Sequence, residues 1–177
     1  MLSFNDKLDV LTAPADALPL EILTSEDVST ILDKATSLYD FVIIDLPKTL
    51  VQWTETILNR ADIFLALTQI DMRCAQNTLR LIRTLKAEDL PHEKLRYILN
   101  FAPKFTDLTA RSRVKRMAEN LNIDLDTFFP DGGKQVTQAC DHGLPIAETA
   151  ARNPLRKEIA KLATSIFELA TEKTATA

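Results

Sequence analysis

The sequence predicts an α/β protein with a mainly parallel sheet and helices on both faces. Three observations carry that reading. Segments of helical and of strand character alternate along the chain, the pattern left by strand–helix–strand crossovers. The strand segments are short continuous apolar runs, such as Phe41–Ile44 and Ile63–Leu67, and continuous rather than alternating apolarity belongs to strands buried on both faces. No Asn-Gly or Asp-Gly dipeptide joins two such runs, so hairpins are not indicated.

In chain order, Leu8–Thr12 is a short strand candidate, and Pro14 and Pro19 make a linker or irregular turn. Thr24 or Ser25 can cap a helix over Glu26–Leu38, with Val28, Ile31, Leu32, Ala35 and Leu38 on one face and acids in the first turn. Phe41–Ile44 follows as a buried strand ending in Asp45. A carboxylate there either caps the next segment or faces a ligand, because ligands of open α/β sheets collect beyond the carboxyl ends of the strands. Leu50–Arg60 is read as helical with Trp53, Ile57 and Leu58 inward, and Ile63–Leu67 as a second strand.

Asp71 can cap a long helix over Arg73–Lys86, with Ala75, Leu79, Ile82 and either Leu85 or the stem of Lys86 inward and Arg73, Arg80 and Arg83 on its solvated side. Arg96–Phe101 is the third strand, with Asn100 near its end. The helix Thr109–Leu121 crowds Arg111, Arg113, Lys115 and Arg116. Without interleaved aromatics, that cluster reads as a basic surface rather than a nucleic-acid or acidic-lipid site. Leu125–Phe129 is the final strand, closed by the turn Pro130-Asp131-Gly132-Gly133. A short helix Lys134–Asp141 stops at Gly143. A well-patterned helix then starts at Asn153-Pro154, carrying Leu155, Ile159, Leu162, Ile166 and Leu169 inward, and Thr171–Ala177 reads as a frayed tail.

The 177 residues fit a single domain, residues 1–177, and 46% hydrophobic with 26% charged residues is an ordinary globular balance. A net charge of −4 argues against a protein-wide nucleic-acid surface. No apolar stretch is long enough for a transmembrane segment, and the N-terminus lacks the features of a signal peptide, so the expected location is cytoplasmic. Cys74 and Cys140 lie far apart, as do His92 and His142, and neither a disulfide framework nor a metal-ligand spacing is indicated. The three glycines are Gly132, Gly133 and Gly143. A backbone phosphate cradle needs several at close spacing where a helix opens.

YDFVIIDLP, RADIFLAL, RYILNFAPK and FFPDGGKQVTQACDHGLPIAE, in that order and followed by a closing amphipathic helix, resemble the MinD/ParA group of P-loop ATPases. Within it, DLPKTLVQWTETILNRAD is most similar to the TadZ/CpaE proteins of tight-adherence pilus assembly. The resemblance spans about Leu8 to Leu169. It implies a P-loop NTPase-like fold, a cytoplasmic homodimer that binds ATP and Mg2+, and partners among pilus-assembly or secretion components. The implied location extends to the cell pole or the inner face of the membrane through those partners.

By the same resemblance, Asp45 is the catalytic and metal-associated carboxylate that holds magnesium through water and orients the attacking water. Asn100 reads the adenine, and Pro130 and Asp131 line the other side of the base. The family's glycine- and lysine-rich loop and the central first strand bearing it have no counterpart here, and Lys48, Lys104 and Lys134 lack the surrounding backbone donors to replace it. The chain is therefore read as the C-terminal part of a MinD/ParA-like ATPase domain, a fragment in which nucleotide chemistry is absent or incomplete. The alternative is a phospho-receiver-like signalling module with Asp45 as acceptor, Thr68 at the end of the next strand and Lys104 following the one after. Its first strand, LDVLTA, has no acidic pair for magnesium.

Overall fold

The computed structural model describes residues 1–177 except 14, 17, 18, 20, 21, 48, 105, 176 and 177. Much of the Pro14–Pro19 linker, Lys48 and the end of the tail read at Thr171–Ala177 lie outside the described residues. The chain, read from its length as one domain, divides into two compact units, Met1–Ala61 and Asp62–Ala177.

Unit one opens with strands β1 (Leu2–Asn5) and β2 (Leu8–Val10), paired antiparallel with Leu2 opposite Val10 and Asn5 opposite Leu8. This hairpin corrects the expectation that none is present. Its connection, Asp6-Lys7, contains no glycine, and the Asn5 side chain makes the turn by accepting the Lys7 N–H at 2.9 Å.

Helix α1 (Ser25–Leu38) starts where its sequence asks. Thr24 Oγ1 accepts the Asp27 N–H at 3.1 Å, and Asp27 accepts the Thr24 N–H at 3.0 Å, a reciprocal capping box. Helix α2 (Thr54–Arg60) is shorter than the expected Leu50–Arg60, because Thr54 Oγ1 takes the Val51 N–H at 2.9 Å in a turn before the helix. Val28, Leu32, Trp53 and Ile57 form the small core of this unit, with Leu46 and Val51 against it. Arg60 ties α2 to α1 by donating to the Ser29 carbonyl at 3.0 Å and pairing with Asp33 at 2.7 Å.

The second correction concerns Phe41–Ile44. Among the described residues from 41 to 47 none is assigned to a strand or helix, and Ile43 is 94% exposed. The composition is that of a strand in the middle of a parallel sheet. Such a strand forms only between two hydrogen-bonding neighbours and beneath covering helices, and among the described residues of unit one the ladder is the β1–β2 hairpin.

Unit two is the parallel α/β body. β3 (Phe64–Thr68), β4 (Leu95–Ala102) and β5 (Leu125–Pro130) pair parallel in that spatial order. Helices α3 (Met72–Ala87) and α4 (Leu108–Leu121) supply the two crossovers. Successive side chains on a strand point to opposite faces, and Ile98 and Leu99 on the middle strand are both fully buried. β4 is thus covered from both sides, as its apolar run predicts.

Asp71 Oδ1 caps α3 by accepting the Cys74 N–H at 2.9 Å, and Asp107 caps α4 through the Ala110 N–H at 2.9 Å. Helices α5 (Gly133–Asp141) and α6 (Ile146–Thr149) pack together, and α7 (Pro154–Ala175) packs on β5. α7 continues through the stretch expected to be a frayed tail, with Thr171 Oγ1 donating back to the Phe167 and Glu168 carbonyls at 3.1 and 2.8 Å.

Candidate functional site

The carboxyl ends of β3, β4 and β5 form one rim of unit two. Register places Thr68 beside Leu99, Asn100 beside Phe129, and Ala102 beside Pro130. Neighbouring parallel strands lie about 4.8 Å apart, so Asn100 and the Pro130-Asp131 turn occupy adjacent positions on the rim. The structure therefore brings together three of the four residues singled out in the sequence. Asp45, the fourth, is an exposed residue of unit one.

Between Asn100 and Ala102 the ladder slips by one residue. Phe101 is the extra residue, with φ +51° and its ring mostly exposed. A bulky side chain in that left-handed region carries strain of about 1–3 kcal/mol, and bulges commonly sit where a strand end is re-aimed beside a site. Asn100 Oδ1 accepts the Phe101 N–H at 3.1 Å. Its carbonyl oxygen is thereby occupied by the bulge, leaving the amide NH2 group to donate outward.

On the next strand, Asp131 Oδ1 accepts the Gly133 N–H at 2.8 Å, closing a turn in which Gly133 takes φ +61°. Gly132 is confined instead by packing, because a Cβ there would lie 2.2 Å from Val136 Cγ2. A residue that the sequence offered only as a helix cap fixes the whole turn. Buried Asn153 donates its amide to the Gly132 carbonyl at 2.9 Å and to Gln135 Oε1 at 3.0 Å, while its Oδ1 accepts the Leu155 N–H at 3.0 Å. It links the start of α7 to the rim turn and to α5. The capping signal was legible in Asn153-Pro154; the contacts 21 and 18 residues back were not.

At the β3 end, Thr78 Oγ1 donates to the buried Thr68 Oγ1 at 3.1 Å. That hydroxyl faces α3 in the interior, which removes one support of the receiver reading. Next to it, hydrogen bonds from the Cys74 thiol and N–H hold the Asp71 carboxyl below its ordinary range, and the same carboxylate pushes the Cys74 thiol up.

The donor set fits one half of a nucleotide. An amide donor, a proline ring and a turn carboxylate lie side by side, an arrangement suited to a planar heterocycle with edge acceptors. It does not fit the phosphates. Gly132 is packed against Val136, the Gly133 N–H is already given to Asp131, and the turn lacks the run of closely spaced glycines that wraps a phosphate. Among the described residues, no three His, Cys, Asp or Glu side chains converge as a metal cage.

A parallel sheet flanked by helices, with its polar residues gathered on the carboxyl rim, is the ParA/MinD type of P-loop NTPase-like fold. Comparison with solved structures places this chain within that architecture. The ParA family ATPase from Chlorobium tepidum TLS superposes with a TM-score of 0.80 at 20% identity, over 90% of this chain and 65% of that one. The MinD cell division protein of Aquifex aeolicus gives 0.67 at 16%, over 83% and 62%. MinD in the MinC:MinD complex of Aquifex aeolicus gives 0.66 at 18%, over 82% and 59%. The chain thus spans less than two thirds of each of these proteins, and the likeness is one of fold. No family model and no curated protein matches the sequence. Among the described residues, no helix is long and apolar enough to cross a membrane.

Proposed function

We propose that this chain is an ATPase-like domain of the TadZ/CpaE type that helps position or assemble the tight-adherence pilus secretion machinery. Asn100, Pro130 and Asp131 receive the adenine, and Asp45 is the residue that the resemblance assigns to a water-bound Mg2+ in the full-length family. The observation that carries the reading is the placement of Asn100 and the Pro130-Asp131 turn side by side on the carboxyl rim of a ParA/MinD-like sheet. Its partners are a second copy and other pilus or secretion components, and it acts in the cytoplasm, at the pole or the inner face of the membrane. ATP and Mg2+ belong to a site whose phosphate half these residues do not supply, so this chain by itself holds the base side only.

Two measurements test the reading. Calorimetry of the 177-residue chain with ATP and Mg2+ is expected to show no low-micromolar dissociation constant, and finding one refutes the incomplete phosphate half. Photolabelling with an azido-adenine nucleotide at millimolar concentration is expected to mark the peptides holding Asn100 or Pro130-Asp131, and to weaken in Asn100→Ala. Labelling confined to other peptides refutes the base site. For the pilus role, deletion of the gene is expected to abolish tight-adherence pili, and unchanged piliation refutes it.

A further inference from the structure

Among the described residues, the non-glycine positions with a positive φ are Asp89 (+53°), Phe101 (+51°) and Asn122 (+51°). Two of them have a local cause. Asp89 lies in the turn that ends α3, and Asn122 is the cap that ends α4. Asp and Asn are residues that tolerate the left-handed region, and helix ends call for it. Phe101 has neither excuse, being a bulky residue within the span of β4. The Asn100 side chain holds it there by accepting its N–H at 3.1 Å, where the ladder slips between Asn100 and Ala102.

Burial of the ring does not offset the strain. Phe101 is 56% exposed at the carboxyl rim, whereas Ile98 and Leu99 just before it are fully buried, and it is apolar area removed from water that stabilises. Backbone strain of this kind clusters at ligand sites, where it holds a side chain in place for a partner. The position agrees with such a role. Asn100 stands beside Phe129 and Ala102 beside Pro130, so Phe101 lies between the two pairs that bring the Asn100 amide and the Pro130-Asp131 turn together. The amide and the carboxylate meet a flat heterocycle at its edge, and the saturated Pro130 ring has no π-system. A phenyl ring supplies one, and every nucleobase has a π-face to set against it.

We infer that Phe101 is a base-binding residue: its ring stacks on the nucleobase whose edge Asn100 and Asp131 meet, and the left-handed bulge holds that ring at the rim. The inference rests on the base site proposed above and adds to it a face contact that the resemblance does not assign. It also divides the labour within the site. Stacking is tolerant of base identity, so Phe101 sets how tightly a base is held, and Asn100 and Asp131 set which one.

Titration of the full chain with adenosine at millimolar concentration, followed by nuclear magnetic resonance, tests it. The adenine H2 and H8 signals are expected to move upfield in the ring current and to show nuclear Overhauser contacts to the Phe101 ring protons. Phe101→Asn places a residue that tolerates the bulge's backbone and removes the ring. It should lower adenosine affinity by about 5- to 150-fold, the worth of one base–aromatic stack, while Phe101→Tyr retains the ring and the binding. Guanosine should lose the same factor as adenosine in Phe101→Asn. Asn100→Asp, which keeps an acceptor for the Phe101 N–H and removes the outward donor, should instead weaken adenosine and change the ratio between the two nucleosides. Adenosine binding that weakens in Asn100→Asp but is unaltered in a folded Phe101→Asn overturns the inference and leaves the base site standing. Ring contacts missing from the wild-type spectra, with adenosine bound, do the same without any variant. No adenosine binding by the wild-type chain, or binding indifferent to Asn100→Asp, overturns the base site and the stack with it.

Discussion

Removing the Asn153 side chain is the most informative single perturbation of unit two. Asn153→Ala deletes a helix cap, which costs about 1 kcal/mol. It also leaves the Gly132 carbonyl and the Gln135 amide oxygen without their donor at 2.9 and 3.0 Å, where an orphaned acceptor costs about 1–3 kcal/mol if water cannot reach it. Gln135 can turn outward and the turn can admit one water, so the expected loss is about 2–4 kcal/mol rather than the full sum. For a cooperative unit of this size that corresponds to a fall in Tm of roughly 5–15 °C.

The companion Asn153→Ser keeps an acceptor for the Leu155 N–H and removes both donated bonds. It should therefore recover about 1 kcal/mol, the share belonging to the cap. Urea unfolding followed by far-UV circular dichroism reads both variants. A loss below about 0.5 kcal/mol in Asn153→Ala, or identical losses in the two, refutes the claim that this residue staples α7 to the rim turn.

Four further outcomes follow from the same geometry. Phe101→Gly should stabilise unit two by about 1 kcal/mol, because glycine adopts φ +51° without the Cβ clash, whereas Phe101→Val should destabilise it; opposite signs in urea midpoints contradict the strained bulge. Gly132→Ala should cost about 1–3 kcal/mol through contact with Val136 and be partly rescued by Val136→Ala in the double variant. Leu99→Ala empties a fully buried site on the middle strand and should cost about 2–5 kcal/mol, the largest single loss in the set.

The pH dependence has a definite sign. Hydrogen bonds from Thr24 depress the folded-state pKa of Asp27, and those from Cys74 depress that of Asp71. Their stabilisation is present above the unfolded carboxylate pKa and is lost as pH falls through the lower folded value. Denaturant midpoints should therefore hold steady through neutral pH and drop in the acid range, with a smaller drop in Asp27→Asn and Asp71→Asn.

What the sequence disclosed tracks how local the determining interaction is. β3, β4 and β5 announced themselves because Phe64–Thr68, Leu95–Ala102 and Leu125–Pro130 are apolar runs punctuated by capping aspartates and the Pro130–Gly133 turn. Thr24, Asp71 and Asn153 marked helix starts because a cap is settled within three residues. Phe41–Ile44 carried an equally clear composition, but a strand is a relation to neighbours and not a property of four residues, and no ladder partner is assigned to it. The β1–β2 hairpin escaped notice because its turn is made by the Asn5 side chain rather than by glycine. At the rim, the type and order of Asn100, Pro130 and Asp131 were readable. The bulge at Phe101, the occupied carbonyl of Asn100 and the long-range grip of Asn153 were not, since each depends on where a second element lies.

The order of the sheet also bears on how unit two comes to exist. β3, β4 and β5 stand in space as they stand in the chain, so each pairing closes over one crossover and none must wait for a distant partner. Such short-range wiring favours rapid, sequential assembly. On a ribosome the sheet can zip up strand by strand from its Asp62 side, and α7, arriving last, latches the finished edge.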